Sequence, residues 1–356
     1  MSVLRGIGLF GFIIMFWMQG CAVMDPFGTQ FAPKGEAQSY TSVAQTPIQK
    51  RETLKVVTYN IKFGGGRIDM FFDCYGDREV MTREEVIANL DAIVAWIRTQ
   101  DPDILFLQEV DVHATRSADI DQVQYILDRT ALNYGVYASQ WKSHWIPTHN
   151  LGHVNSGNAI LSKYKLSNAQ RIALPLIDAQ DGITRYFYLK RNILHAQLLD
   201  MPRPLTLVDT HLSAYAIDDT KMRQIGILND FLHAIEGPFI MGGDLNTLPP
   251  HSLQYANFSD DMCKEGDFAA TNRPEEALYL MPLYDAYNSA IPLEVYRDNN
   301  SAHFSFTSNK EGFWTRKLDY IFSNMPLSEG TTHQNTMPLS DHAPLSAVVK
   351  SSLSTD

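Results

Sequence analysis

Several short apolar runs in this chain close on, or directly follow, an acid or an amide. Leu54–Asn60 ends in Asn60, Ile104–Glu109 in Glu109, and Pro238–Asp244 in Asp244 with Asn246 two residues on; the run beginning at Pro344 follows Asp341 and His342. Runs of that length, rich in branched and aromatic residues and bounded by turn formers, read as buried strands. A carboxylate at the end of a buried strand is costly unless it is paired or bound to a cation. Residues this far apart along the chain can meet only if the strand ends gather, and one oxygen-rich site for a divalent metal is the simplest reason for them to do so.

Between the runs the pattern changes period. Thr82-Arg83-Glu84-Glu85 is a capping box, and Val86, Ile87, Leu90, Ile93, Val94 and Ile97 recur at helical spacing, which predicts a helix over 83–99. Asp101-Pro102-Asp103 then turns the chain into the strand that carries Glu109. Further strands are expected at Val136–Ser139, Ala159–Ser162, Ile193–Leu198, Leu205–Thr210, Phe239–Gly242, Lys317–Phe322 and Leu345–Val349, with a second helix around Thr220–Ala234. Many short strands with few helices between them indicate an α+β fold with two stacked sheets, and no repeat or linker divides residues 54–350, so they read as one domain. The loop from Gly64 to about Val80 contains Met70, Phe71 and Phe72, which read first as a cap folded back on the core and otherwise as a contact for membrane or substrate.

Arg5 precedes thirteen uncharged residues, Gly6 to Met18, followed by Gln19-Gly20-Cys21. As a helix such a stretch rises only about 20 Å, short of a ~30 Å hydrocarbon core, so residues 1–20 read as an export signal. Gly20-Cys21 resembles a bacterial lipobox, which makes Cys21 the expected lipidation site and the protein an exported lipoprotein of the cell envelope; an ordinary cleaved signal or an uncleaved anchor are the alternatives. Residues 21–53, with Pro26, Gly28, Pro33, Gly35 and Pro47, read as a flexible tether, and 351–356 as a tail. Cys74 and Cys263 remain, either paired or as two thiols. The net charge of −11 gives no chain-wide basic footprint, so a polyanion would need a local positive patch or a metal ion.

Taken singly, the polar residues have ordinary explanations. Glu109 could be a paired structural acid and Asn60 a turn former, while Gly242-Gly243-Asp244-Leu245-Asn246 could be an Asx-rich turn. If extended, Asp244 and Asn246 would face one centre. Asp341 and His342, adjacent, should point to opposite faces and need separate partners; Asp319 offers a carboxylate for His342, and His211, after Asp209-Thr210, supplies a second histidine at a strand end.

In order, Val57-Thr58-Tyr59-Asn60, Leu107-Gln108-Glu109, Gly157-Asn158-Ala159-Ile160-Leu161-Ser162, Thr210-His211-Leu212, Gly243-Asp244-Leu245-Asn246, Leu318-Asp319-Tyr320-Ile321 and Ser340-Asp341-His342 resemble the endonuclease/exonuclease/phosphatase superfamily. The resemblance covers residues 54–350 and implies a four-layered α/β sandwich, with two central mixed β-sheets flanked by helices and the site at one end. It implies Mg²⁺, with Mn²⁺ as a substitute, at Glu109 and Asp341 with Asn60 nearby. It also implies phosphate contacts from Asn158, His211, Asn246 and Arg191, and catalytic parts for Asp244, His211, Asn246, Asp319 and His342 in water attack on phosphorus. Either Asp244 or His342 could take the proton.

The substrate stays open between nucleic acid and a phospholipid or sphingomyelin head group. A nuclease would use the cations and rings around Trp141–Trp145 and Phe313–Lys317; a lipid phosphodiesterase fits the expected anchor. An inositol-phosphate phosphatase ranks lower, because Thr247-Leu248 and Thr315-Arg316-Lys317 stand where that subfamily has other motifs. A membrane-tethered, non-catalytic binding protein is the alternative outside catalysis, and a monomer is the default assembly.

Overall fold

The computed structural model describes residues 25–48, 51–73, 76–147, 150–199, 204–260, 274–308, 310 and 312–350. The expected signal, Cys21, the Cys74 and Cys263 pair and the tail lie outside the described residues.

Two seven-stranded mixed sheets form the centre. The first contains β1 (Lys34–Glu36), β7 (Leu166–Ala173), β8 (Asn192–Leu198), β9 (Leu205–His211), β10 (Phe239–Asp244), β12 (Asp319–Ser323) and β11 (Asn288–Ser289), in that spatial order. The second runs β13 (Leu327–Thr332), β14 (Leu345–Lys350), β3 (Thr53–Asn60), β4 (Ile104–Asp111), β6 (Gly152–Ser162), β5 (Tyr134–Ile146), β2 (Gln38–Thr41).

Strand periodicity explains the layering. Alternate residues of a strand face opposite sides, and here both sides are apolar. Val56, Ile104, Phe106, Leu207, Ile240 and Ile321 face the partner sheet in one cluster. Their neighbours Val57, Leu105 and Leu107 pack against Ile93, Val94 and Ile97 of α1 (Arg83–Gln100) and Val123 and Ile126 of α2 (Gln122–Leu127). On the other flank Val208, Met241, Tyr320 and Phe322 meet α4 (Thr220–His233), and the short α3 (Gly182–Phe187) lies between β7 and β8 in the chain. The result is the four-layered sandwich that the resemblance implies. Helix α1 starts as predicted, with Thr82 accepting from the Glu85 N–H at 3.2 Å and Glu85 accepting from the Thr82 N–H at 2.8 Å, and it runs one residue further, to Gln100. Among the described residues no helix is long and apolar enough to cross a membrane.

One expectation is corrected. Residues 34–41 belong to the fold rather than to a free tether: β1 pairs antiparallel with β7 on one sheet, and β2 with β5 on the other. Both are edge strands whose side chains are mostly exposed, so the backbone ladder holds them and no apolar pattern marks them. The Met70–Phe72 loop folds back as the cap reading had it. Met70 and Phe72 pack with Phe63, Val86 and Leu90, and Phe71 packs with Ile146, Leu151 and Val154.

Beneath the strand ends the two sheets approach closely, and a Cβ on Gly242 would lie 2.5 Å from the Phe106 ring of the other sheet. Within its own sheet, a Cβ on Gly243 would lie 2.2 Å from the Thr210 carbonyl oxygen of the neighbouring strand. Only glycine fits at both positions.

Candidate active site

Chain direction gathers the polar strand ends. Parallel β3 and β4 finish side by side, with Asn60 level with Gln108. In the other sheet parallel β9 and β10 place His211 level with Asp244, and antiparallel β12 brings Asp319 level with Asp244 from the other side. Residues on one rung project from the same face, so His211, Asp244 and Asp319 form a row, and the segment before β14 adds Asp341 and His342.

Glu109 reaches this row through an irregularity in β4. Leu107 is level with Ala159 and Val110 with Gly157, so Gln108 and Glu109 together oppose the single residue Asn158. This is a β-bulge, and Glu109 sits at φ +55°, a left-handed conformation that costs a non-glycine residue about 1–2 kcal/mol. Strict alternation would send Glu109 to the helix-covered face with Leu107. The bulge delivers Val110 to that face instead, and Glu109 turns toward Asn60. Gln108 faces between the sheets, donating to Asp209 Oδ1 at 2.7 Å and Thr58 Oγ1 at 3.1 Å.

Asn60 joins the two sheets. Its Nδ2 donates to Glu109 Oε1 at 3.2 Å and Asp244 Oδ2 at 3.1 Å, while its Oδ1 accepts the Lys62 N–H at 3.0 Å. Asn60 thus orients both carboxylates and stands beside Glu109, where the resemblance places it. Asp244 Oδ2 also lies 3.3 Å from His211 Nε2 and 3.6 Å from His342 Nε2, and His342 Nδ1 lies 2.9 Å from Asp319 Oδ2. At Asn246 the backbone, not the residue's place in the site, departs from expectation. It is left-handed (φ +46°) rather than extended; its Nδ2 donates to the Leu212 carbonyl at 3.1 Å, and its backbone N–H serves the site by donating to Asp244 Oδ1 at 2.9 Å.

The electrostatics divide the roles. Burial raises the Asp244 carboxyl to about 7, with Asp319 adding to it and His342 opposing. Burial disfavours a charged His342, but Asp319 and Asp244 outweigh it and carry the imidazole up to about 10. His211, pushed well below its usual value by burial and then by Arg191 and His342, is neutral. Asn158 is fully buried, yet neither atom of its amide has a partner within the protein, and the same holds for Arg191 Nε, while another Arg191 nitrogen donates to Gln140 Oε1 at 2.8 Å. Unpaired buried donors suit an anion with several oxygens.

Two groups of acids could hold a cation. Asp244, Asp319 and His342 lie close enough together to share one. Their side chains are no more than 5% exposed, and His342 already bridges the two carboxylates through its own nitrogens, so a hydrated ion gains little there. Glu109 and Asp341 are 31% and 18% exposed. Desolvation and then repulsion from Asp341 raise Glu109, so the two acids face each other at the solvent side of the site. That donor set fits a hard cation that keeps several waters.

Lys62 was not legible as part of the site. It is buried, with Nζ 2.6 Å from Asp73 Oδ2 and 3.7 Å from Asp341 Oδ2, and although burial works the other way it holds Asp341, with His342 and Arg67, below the usual carboxylate range. A lysine just past a strand reads as surface, and no spacing distinguishes this one.

Known proteins place the fold. The crystal structure of an endonuclease/exonuclease/phosphatase from Beutenbergia cavernae DSM 12333 is similar at 17% identity and a TM-score of 0.54, over 84% of this chain and 72% of that one. A functionally unknown conserved protein from Enterococcus faecalis V583 is similar at 16% identity and 0.53, over 83% and 100%. A humanized D. rerio TDP2 is similar at 13% identity and 0.52, over 84% and 99%. No curated relative matches. A family model described as the Endonuclease/Exonuclease/phosphatase family matches residues 57–342, from the strand before Asn60 through His342. The ordered strand ends, the double sheet and that match together make the chain a member of the endonuclease/exonuclease/phosphatase family.

Proposed function

We propose that this protein hydrolyses phosphodiesters with the help of a divalent cation, Mg²⁺ or in its place Mn²⁺, held by Glu109 and Asp341. The single observation that carries the reading is the convergence on Asp244 Oδ2 of His211 Nε2, His342 Nε2 and Asn60 Nδ2, all within 3.6 Å, beside the open Glu109. Members of this family are typically phosphoester hydrolases.

The parts follow from charge and position. Asn158, His211 and Arg191 bind the non-bridging oxygens. Asp244, raised toward neutrality, orients a water and takes its proton as the water oxygen bonds to phosphorus. His342, charged and held by Asp319, hydrogen-bonds the phosphate and gives a proton to the departing oxygen as the second P–O bond breaks. A bound cation would offset the charge that builds on the phosphate oxygens. On this reading Asp244 is the base and His342 the acid.

The expected setting is an exported lipoprotein anchored through Cys21. Glu109→Ala, Asp244→Ala and His342→Ala should each reduce Mg²⁺-dependent hydrolysis of bis(4-nitrophenyl) phosphate at least ~10²-fold while leaving the circular dichroism spectrum unchanged. Full activity in all three would sink the assignment.

A further inference from the structure

We infer that the face formed by Phe27, Trp145, Ile183, Tyr186 and Phe187 seats the catalytic domain on a lipid bilayer, with the mouth of the site turned to phospholipid phosphodiesters at its surface. The substrate half rests on the phosphodiesterase reading; the surface half does not.

The face is a continuous set of rings with an aliphatic edge. Phe27 lies 6.1 Å from Trp145, 6.3 Å from Tyr186 and 5.3 Å from Phe187, and Tyr186 and Phe187 are 4.9 Å apart. Trp145 is 52% exposed and Ile183 77%. Single exposed apolar side chains are ordinary. Here they cluster, and β5, which carries Trp145, also carries the exposed Lys142 and His144. Trp and Tyr bodies with a lysine on the same strand match the headgroup boundary of a bilayer.

Chain connectivity selects the occupant. Asp25 is pinned under this face by the Tyr186 hydroxyl, and the Phe27 carbonyl accepts the His144 N–H at 2.7 Å. Cys21 is four residues before Asp25 and Met18 seven, so an extended chain separates them from it by at most about 14 Å and 25 Å. The uncharged stretch from Gly6 to Met18 ends there. Anything that holds that stretch or Cys21 in a bilayer keeps Asp25, and this face with it, within that reach of the same bilayer, whereas a protein partner would need no such tether.

The same face adjoins the site. Phe187 is four residues from Arg191, within about 14 Å. On β5, Trp141 Nε1 donates to the Phe187 carbonyl at 2.7 Å, and its neighbour Gln140 accepts from Arg191 at 2.8 Å. One strand thus backs both the ring cluster and the phosphate-binding arginine.

The test uses the full chain in phosphatidylcholine vesicles containing a phospholipid with a diazirine near the top of its acyl chain. After illumination, peptide mapping should find adducts within 25–31, 141–147 and 182–188. Adducts confined to residues before 25, or equally frequent at the exposed Leu253 and Leu278, would overturn the surface. A Trp145→Asp, Ile183→Asp double variant should lose at least tenfold in hydrolysis of vesicle phospholipid while keeping the wild-type rate on soluble bis(4-nitrophenyl) phosphate. Equal loss on both substrates, or on neither, counts against the inference. A wild type that cleaves the soluble ester but no vesicle phospholipid overturns the substrate half, and one that cleaves neither overturns the phosphodiesterase reading while the adduct map still judges the surface.

Discussion

Replacing Glu109 by glycine should make the metal-free protein more stable and the metal-loaded protein less stable than the wild type. Glu109 occupies the left-handed region at φ +55°. Glycine relieves about 1–2 kcal/mol of that strain and returns about 0.5–1 kcal/mol through its greater freedom when unfolded. It also removes a carboxylate that Asp341 repels, while the Asn60 amide keeps its bond to Asp244 Oδ2. A net gain of about 1 kcal/mol corresponds to roughly 2–4 °C in a domain of this order of size. Mg²⁺ at a hundredfold excess over its dissociation constant stabilises a folded state that binds it by about 2.7 kcal/mol. The variant, left with Asp341 alone, forgoes most of this. Thermal unfolding followed by circular dichroism, in chelator and then in Mg²⁺, should therefore show the two curves exchange order. Hydrolysis should fall by at least ~10³-fold. A variant that melts below the wild type in chelator would refute the strain argument, and an undiminished Mg²⁺ shift would refute Glu109 as a ligand.

Asp319→Asn should cut turnover by ~10²–10⁴-fold, because His342 loses the carboxylate that orients and charges it. The raised His342 value means that the stabilisation is full below the unfolded imidazole value near 6.5 and is lost as pH rises through about 10. Urea unfolding in chelator should thus show a deficit of about 2–4 kcal/mol at pH 6 that narrows toward pH 10; a pH-independent gap contradicts the pairing. Gly242→Ala should destabilise by about 1–3 kcal/mol, since its Cβ would press on Phe106, and Phe106→Leu should recover part of the loss in a double-mutant cycle. Lys221→Met should cost about 3–5 kcal/mol. Lys221 Nζ lies 3.1 Å from buried Glu276 and donates to the Asn246 carbonyl at 3.0 Å, so chemical denaturation that finds no change would count against that pair as a support of the Asn246 turn.

Much of the architecture was legible because buried strands and amphipathic helices carry their own periods. Val56-Val57, Ile104-Leu105 and Ile240-Met241 are apolar on both faces, which demands cover on both sides, and the Thr82–Glu85 box announces α1. Edge strands such as β1 and β2 carry no such signal. In the site, the residue types at Glu109, His211, Asp244, Asp319, Asp341 and His342 were readable, as was the Asp319–His342 pairing. The bulge that turns Glu109, the donor role of Asn60 and the left-handed turn at Asn246 were not.

The sequence by itself determined which faces are apolar, where strands stop and which chemical groups stand at their ends, because these depend on neighbours a few residues apart. Only the tertiary structure decided which groups meet. Sheet register put His211 and Asp319 on either side of Asp244, and an unpaired residue in β4 swung Glu109 to Asn60. A fold that buries Lys62 beside Asp341 gave that lysine a place in the site. Register, bulge and burial are set by contacts between residues distant in the chain, and a one-residue shift in any of them would send the same side chains to the opposite face.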